Sequence, residues 1–364
     1  MKSIRLKLML MAASMMLLTG CGKNAGNTNT ANNTNDNQEN TVVEEGNGTV
    51  VSDDENSESA IQYPIIMKHA LGETVIEKKP ENVVTISWGN QDVPLALEVV
   101  PTGVSMANFG AVDENGLLPW TTAQFNSLGV DTPNVFNDTD GLDYEAISDA
   151  KPDVILAAYS GITLEEYEML SGIAPVIAYP EEPWQTYWRE ETLLNATALG
   201  LQTEGEELVA KTEELITSKL SGYPDIAGKK TAFCWISAED MSTFYIYLPT
   251  DPRANFLLDL GLELPDSVNA LVEDNNSFAV TVSAENAEQL SDIDIIITYG
   301  DDSLLEAMQA DSLLSAIPAI KNGAVVLLDS TSALAAACNP TVLSIPATID
   351  EYLTMINEAA LKVQ

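Results

Sequence analysis

The chain has 364 residues, 45% of them hydrophobic, and a formal charge of -39 from 16 basic against 55 acidic side chains. That length admits two domains with real cores, and that charge excludes nucleic acid as a partner, because a phosphate backbone would be repelled from almost every face. A single histidine, His69, argues against capture of bare zinc or manganese, which calls for several His and carboxylate ligands.

The first element is "MKSIRLKLMLMAASMMLLTGC", with Lys2, Arg5 and Lys7 before an apolar run over 8–18. This is a secretory signal over 1–20, too short for a comfortable membrane span. Its "LLTGC" end resembles the lipobox of bacterial lipoproteins, which would make Cys21 the lipidated first residue of the mature chain. Residues 21–60 are rich in Asn, Thr, Gly, Glu and Asp, have no aromatic residue and show no period. Such a segment cannot bury enough apolar area to offset its ordering entropy, so it is expected to be a disordered tether to the membrane.

The folded part begins with two short strands around "LGE", followed by a buried strand over 83–87 after the Pro80 break. A short helix near 91–98, a strand through "VVPTGVSM" and a long irregular stretch over 107–141 come next. "YEAISDAKPDVILAAYSG" then supplies a helical piece opening on Glu145, a Lys-Pro break and an apolar strand over 154–158. The helix "TLEEYEMLSG" and the strand "PVIAY" follow. From 184 to 220 the pattern is helical, interrupted only near "ALGLQTEGEE", and then strands and helices alternate again to a closing helix at about 346–361. In that second half, "SAENAEQLSDIDIIITYG" repeats the earlier unit, with Glu285 matching Glu145 and Tyr299 matching Tyr159. The expected fold is therefore α/β: two Rossmann-like lobes, 61–200 and 223–364, with mostly parallel sheets joined by a single long connecting helix over 201–222.

In open parallel sheets a ligand crevice lies beyond the carboxyl ends of the strands. The residues at those ends are aromatic: Trp88, Tyr159, Tyr179, Trp184, Trp235, Tyr245, Tyr247 and Tyr299. From this set Trp88, Tyr159, Trp184, Trp235, Tyr245 and Tyr299 are the candidate cleft walls. Beyond the signal sequence only two arginines remain, Arg189 and Arg253, and a guanidinium offers a planar fork of donors for a carbonyl-rich or anionic ligand. Arg253, at a helix start, works against the helix dipole there, which hints at function. So few cations favour a neutral or weakly charged ligand over a trianionic one. Cys234 and Cys338 sit in apolar surroundings and are expected to be buried free thiols; His69 is expected to be structural.

The blocks "HALGETVIEKKPENVVTISWGNQD", "GLDYEAISDAKPDVILAAYSG", "PWQTYWRE", "DPRANFLLDLG" and "VTVSAENAEQLSDIDIIITYGDD" resemble the ferric-siderophore-binding lipoproteins of bacterial ABC importers, a class that also includes haem and cobalamin binders. The resemblance implies a non-enzymatic, monomeric, extracytoplasmic receptor, lipid-anchored to the cell membrane, without cofactor, that delivers an iron chelate to a membrane permease. It further implies that Glu145 and Glu285, one per lobe, dock with arginines of that permease. Haem and cobalamin stay open as ligands. An exported enzyme is disfavoured by the lack of a Ser-His-Asp set or a nucleotide loop, and a surface adhesin would bind a macromolecule in place of a small ligand.

Overall fold

The computed structural model describes residues 62–363 except Thr139 and Asn275. The signal sequence, Cys21 and the tether lie outside the described residues.

A hairpin opens the chain: β1 (Ile65–His69) pairs antiparallel with β2 (Gly72–Ile76), closed at His69 opposite Gly72. His69 is structural, its Nδ1 accepting from the Leu71 backbone and its Nε2 bonded to Thr74 Oγ1 at 3.0 Å. Five parallel strands follow, β3 (Val83–Thr85), β4 (Gly103–Ser105), β5 (Val135–Phe136), β6 (Val154–Leu156) and β7 (Val176–Ile177), in the order β5-β4-β3-β6-β7. Apart from Val135 on the edge strand β5, which is half-buried, their valines and isoleucines are buried, as a sheet covered by helices on each side requires.

The second sheet holds β8 (Thr231–Trp235), β9 (Thr243–Tyr247), β10 (Ala279–Ser283), β11 (Ile295–Tyr299) and β12 (Val325–Leu328), in the order β10-β9-β8-β11-β12. Here β9 runs antiparallel to both neighbours, while β8, β11 and β12 are parallel. Position by position the two orders correspond, β3 to β8 and β6 to β11. The repeated sequence unit is therefore a repeated structural one. Asp153, just before β6, accepts from the backbone N–H groups of Glu81 and Asn82 ahead of β3. Asp294, just before β11, accepts from the Lys230 N–H ahead of β8. In each lobe one aspartate fixes where the first strand begins.

Two expectations need correction. The stretch 107–141 is not irregular throughout, because it contains a helix, Pro119–Ser127, and the short strand β5. Only Trp120, Thr121 and Phe125 of that helix are buried, so its sequence carries little apolar period. The helical run from 184 begins only at Trp188 and breaks at Gly200, whose φ is 69°, into two helices, Trp188–Ala198 and Gln202–Leu220. The second is about 28 Å long at the standard rise. Between β7 and β8 the chain thus passes through a packed helical pair.

One apolar cluster runs through both halves. Val93 and Ala196 join Phe233, Ile297, Ile345 and Leu353 in it, with Trp188 between. Gly205 permits close approach within the helical pair, since a Cβ there would lie 2.4 Å from the Ala196 Cβ. Replacing a helical glycine by alanine ordinarily stabilises by about 1 kcal/mol. Gly205→Ala is expected to reverse that sign and cost roughly 1–3 kcal/mol by overpacking, measured as a lowered urea midpoint with unchanged slope.

Candidate functional site

On the N-terminal side the aromatic wall begins where β3 ends. Ser87 turns the chain with a φ of 66° and Gly89 with a φ of 78°, which brings Trp88 out against Phe109, Leu118, Ala336 and Ala337. A small cavity of about 10 Å³ beside Trp88 is lined by Ser87, Ser105, Ala107 and Leu118, all from the N-terminal lobe. Tyr159 follows β6, and Asn90 holds its backbone from both sides: the Tyr159 N–H donates to Asn90 Oδ1, and Asn90 Nδ2 donates to the Tyr159 carbonyl. Trp184 stands edge-on to Tyr159 with ring centroids 5.4 Å apart. Its indole occupies the space beside Gly161, where a Cβ would fall 2.0 Å from Nε1. Trp184 is 45% exposed and has a φ of 61°, a left-handed conformation that costs a non-glycine residue about 1–3 kcal/mol.

The opposite wall is one face of the second sheet. Phe233 opposes Tyr247 and Trp235 opposes Tyr245 in the β8–β9 register, so strand alternation places all four rings on the same side. Tyr299, on β11, meets Phe233 at 5.5 Å from its own lobe and Phe109 at 5.4 Å from the other. Arg253 completes this face. Its neighbour Asp251 caps the helix Pro252–Asp259 and accepts from the Arg253 backbone N–H at 2.9 Å, from Nε at 2.8 Å and from Nη2 at 2.6 Å. The guanidinium carbon lies 3.9 Å from the Tyr247 ring centroid. Burial works against the Arg253 charge, but Asp251, aided by Tyr299 and Tyr247, outweighs it and holds the pKa well above the ordinary arginine value. The dipole penalty expected for an arginine at a helix start is thus answered by the cap itself.

The two walls meet at Tyr159. Burial first, and then the charge of Asp251, pushes its hydroxyl pKa up, while Arg253 and a hydrogen bond with Asn339 act the other way. An N-terminal-lobe phenol therefore faces an arginine and an amide of the C-terminal lobe. At the rim Gln185 Nε2 donates to the Asn276 carbonyl at 2.9 Å and the Tyr187 hydroxyl to the Pro249 carbonyl at 2.9 Å, which ties the segment after Trp184 across the gap.

Among the residues singled out from the sequence, Tyr159, Trp184, Arg253 and Tyr299 are brought together, and Trp88 packs on the same apolar cluster as Phe109, which meets Tyr299. Trp235 and Tyr245 pair with each other, centroids 5.8 Å apart, on the same sheet face. Arg189 is engaged elsewhere: it stacks on Trp188, and its Nε and Nη1 donate to Glu213 at 2.6 Å and Asp259 at 2.7 Å. Asp259 also accepts from Trp188 Nε1 at 3.0 Å. Arg189 thus ties the helical pair to the helix that carries Arg253. Glu145 is exposed in the first turn of the helix Tyr144–Asp149, and Glu285 is exposed in the first turn of the 3₁₀ helix Ala284–Leu290. Cys234 and Cys338 are free and buried.

Sequence reasoning missed Phe109, Tyr247 as a cleft residue, Asp251 and Asn339. The i, i+2 spacing of Tyr245 and Tyr247 could have found the second, and the Asp-Pro helix start the third. Phe109 lies in a loop with no period, and Asn339 carried no signal at all. No His, Cys, Asp and Glu cluster suited to a metal ion occurs among the described residues, and no described helix is long and apolar enough to cross a membrane.

Two α/β lobes, one with a parallel and one with a mixed sheet, that bring rings together from both sides define a solute-binding protein. The periplasmic binding protein family matches residues 83–331, and the chain belongs to that family, among the class III members that serve iron-siderophore ABC importers. PiaA of Streptococcus pneumoniae, solved in complex with ferrichrome, is 51% identical, with a TM-score of 0.79 over 82% of this chain and 100% of that one. A second structure of PiaA, described as an iron uptake ABC transporter substrate-binding protein, gives 50% identity and a TM-score of 0.76 over the same shares. A periplasmic solute-binding protein of Mycobacterium smegmatis is 25% identical, with a TM-score of 0.66 over 82% of this chain and 99% of that one. The comparison with curated proteins returned no match.

The Asp251–Arg253 pair is enclosed, with side chains 7% and 25% exposed. Asp251→Ala would leave a largely buried guanidinium without its counter-charge and is expected to cost roughly 3–5 kcal/mol. Asp266→Ala, which removes an 89%-exposed partner of Lys230, should cost less than about 1 kcal/mol. Parallel urea denaturation of the two variants checks the difference.

Proposed function

We propose that this protein is an extracytoplasmic receptor that captures a ferric siderophore and delivers it to the permease of an ABC importer. The observation that carries this reading is the convergence of Tyr159 and Trp184 from one lobe with Arg253, Tyr247 and Tyr299 from the other. A chelated iron already has its metal ligands; what it needs from a protein is aromatic surface and a few fixed donors, and this cleft offers both. PiaA, half identical along its whole length and solved with ferrichrome, supports the same reading. Because the Arg253 charge is already met by Asp251, a neutral or weakly charged hydroxamate-type chelate suits the cleft better than a trianionic one.

Several roles follow from this reading. Trp88, Tyr159, Trp184, Trp235, Tyr245, Arg253 and Tyr299 form the ligand-binding set. Arg189 holds the frame behind them instead of contacting the chelate. Glu145 and Glu285 present one carboxylate per lobe to the two-fold permease. Cys21 carries the lipid that keeps the receptor, acting as a monomer and without a resident cofactor, beside its importer. The protein turns over no substrate.

Tryptophan fluorescence is expected to be quenched saturably by ferrichrome, and less by a ferric catecholate at equal concentration. Saturation at one hundred times the dissociation constant should raise the unfolding free energy by about 2.7 kcal/mol. Trp184→Ala and Arg253→Gln should each weaken binding at least about tenfold, which is about 1.4 kcal/mol. Saturation by haem or cobalamin with no response to any ferric siderophore would overturn the ranking. Glu145→Ala with Glu285→Ala should leave fluorescence-measured affinity unchanged while abolishing iron uptake by whole cells.

A further inference from the structure

Behind the cleft two carboxylates meet in the protein interior with no base between them. Asp92 begins the helix Asp92–Ala96, and Glu191 lies in the first turn of the helix Trp188–Ala198; their exposures are 1% and 3%. Among the described residues no lysine, arginine or histidine is paired with either. The titratable group that acts on Glu191 is Asp92, and Glu191 in turn raises Tyr159.

The two acids are served very differently. Asp92 Oδ1 accepts from Thr121 Oγ1 at 2.9 Å and Gln91 Nε2 at 3.3 Å. Its Oδ2 accepts from Trp120 Nε1 at 2.8 Å and Thr341 Oγ1 at 2.6 Å. Glu191 Oε1 is buried without a hydrogen-bond partner, and one turn further along the same helix Asn195 Oδ1 is also without one. The Glu191 carboxyl lies against Gly89, where a Cβ would come 3.4 Å from Oε1 and 2.9 Å from the Thr341 methyl. A carboxylate ionised there would have no donor at Oε1 and no counter-charge, in a buried site that already holds one negative charge. Four donors favour the charge on Asp92, so the proton belongs on Glu191. Burial first, and then the Asp92 charge, raises the Glu191 pKa well above the ordinary value. Burial raises Asp92 to about 6 against the pull of its four donors.

The place of this pair gives the proton a consequence. Thr341 comes from the C-terminal lobe, Asp92 from the N-terminal lobe and Glu191 from the helical pair between them. Gly89 follows the cleft residue Trp88, and Asn195 Nδ2 donates to Asn90 Oδ1 at 3.1 Å, the same Asn90 that fixes Tyr159. We infer that Glu191 holds a proton in the folded protein and that this proton latches the junction of the lobes: its loss at raised pH sets two like charges beside Thr341 and loosens the seam beneath the cleft. The inference concerns the ligand-free protein and stands whatever solute is bound.

The sign is fixed by linkage. A carboxyl whose folded pKa lies above its unfolded one binds a proton in the folded chain that the unfolded chain has released. Stability is then highest in acid and declines as pH rises from the unfolded value of about 4.5 toward the folded one. Asp92 contributes in the same direction up to about pH 6. Glu191→Gln mimics the protonated form without changing size. At about pH 8 its melting midpoint should exceed that of the unaltered protein by about 4 °C, and at about pH 5 the difference should shrink to less than about 1 °C. Hydrogen exchange at the Asp92 and Ile345 amides, which bond to the Gly89 and Thr341 carbonyls, should be slower in Glu191→Gln than in the unaltered protein when both are measured at the alkaline pH. Infrared spectra of the unaltered protein at neutral pH should contain a protonated-carboxyl C=O band that Glu191→Gln lacks. A variant that melts lower at both pH values, or an unaltered protein without that band, overturns the inference. Should the variant fail to fold, the band alone decides.

Discussion

The bond between Thr341 and Asp92 is the point on which the architecture turns. It joins the two lobes through a buried carboxylate, and the apolar cluster around it takes in Val93 from the first lobe, Trp188 from the helical pair and Ile345 from the closing helix Ser344–Ala360. A hydrogen bond to a charged group, shielded from water, is worth more than a neutral one and is costly to break. Because the lobes are fastened behind their sheets, the carboxyl ends of both sheets are left to face one another. The meeting of rings from the two lobes is the geometric consequence of that fastening, and residues as distant in sequence as Phe109 and Tyr299 pack together there.

Much of this was legible in the sequence because it depends on period and punctuation. Short apolar runs such as those over 154–158 and 295–299, bounded by turn residues, fit buried strands, and their alternation with helices argues for parallel pairing, which holds throughout the first sheet and for β8, β11 and β12 of the second. The matched units around Glu145 and Glu285 show that the halves correspond, and Asp153 and Asp294 do one job in each lobe. The helix Pro119–Ser127 was illegible because polar residues fill most of its length and only Trp120, Thr121 and Phe125 are buried, against partners distant in sequence. The break at Gly200 was visible as an interruption, but only packing of Gly205 on Ala196 decides that two helices result.

The site was legible in its materials and not in its pairings. Aromatic residues at strand ends could be read directly, whereas the partners of the two arginines could not. Both occur in acidic surroundings, and nothing local distinguishes them. Arg253 has Asp251 two residues away and aromatic rings above it; Arg189 has Glu213 and Asp259, which are remote in sequence. Tertiary structure alone assigns one to the cleft face and the other to the frame behind it. The strongly negative surface adds a second constraint, since an anionic solute approaching the gap meets repulsion from most directions and finds Arg253 already committed to a carboxylate.

The backbone at Trp184 has an implication for the history of the fold. An indole held in a left-handed conformation is retained against its own conformational preference, and glycine or asparagine there would relax the chain. Repeated rounds of directed evolution for heat tolerance alone would find that relaxation advantageous and erase the ring. Against it stands the packing of the ring itself, edge-on to Tyr159 and over the Gly161 backbone.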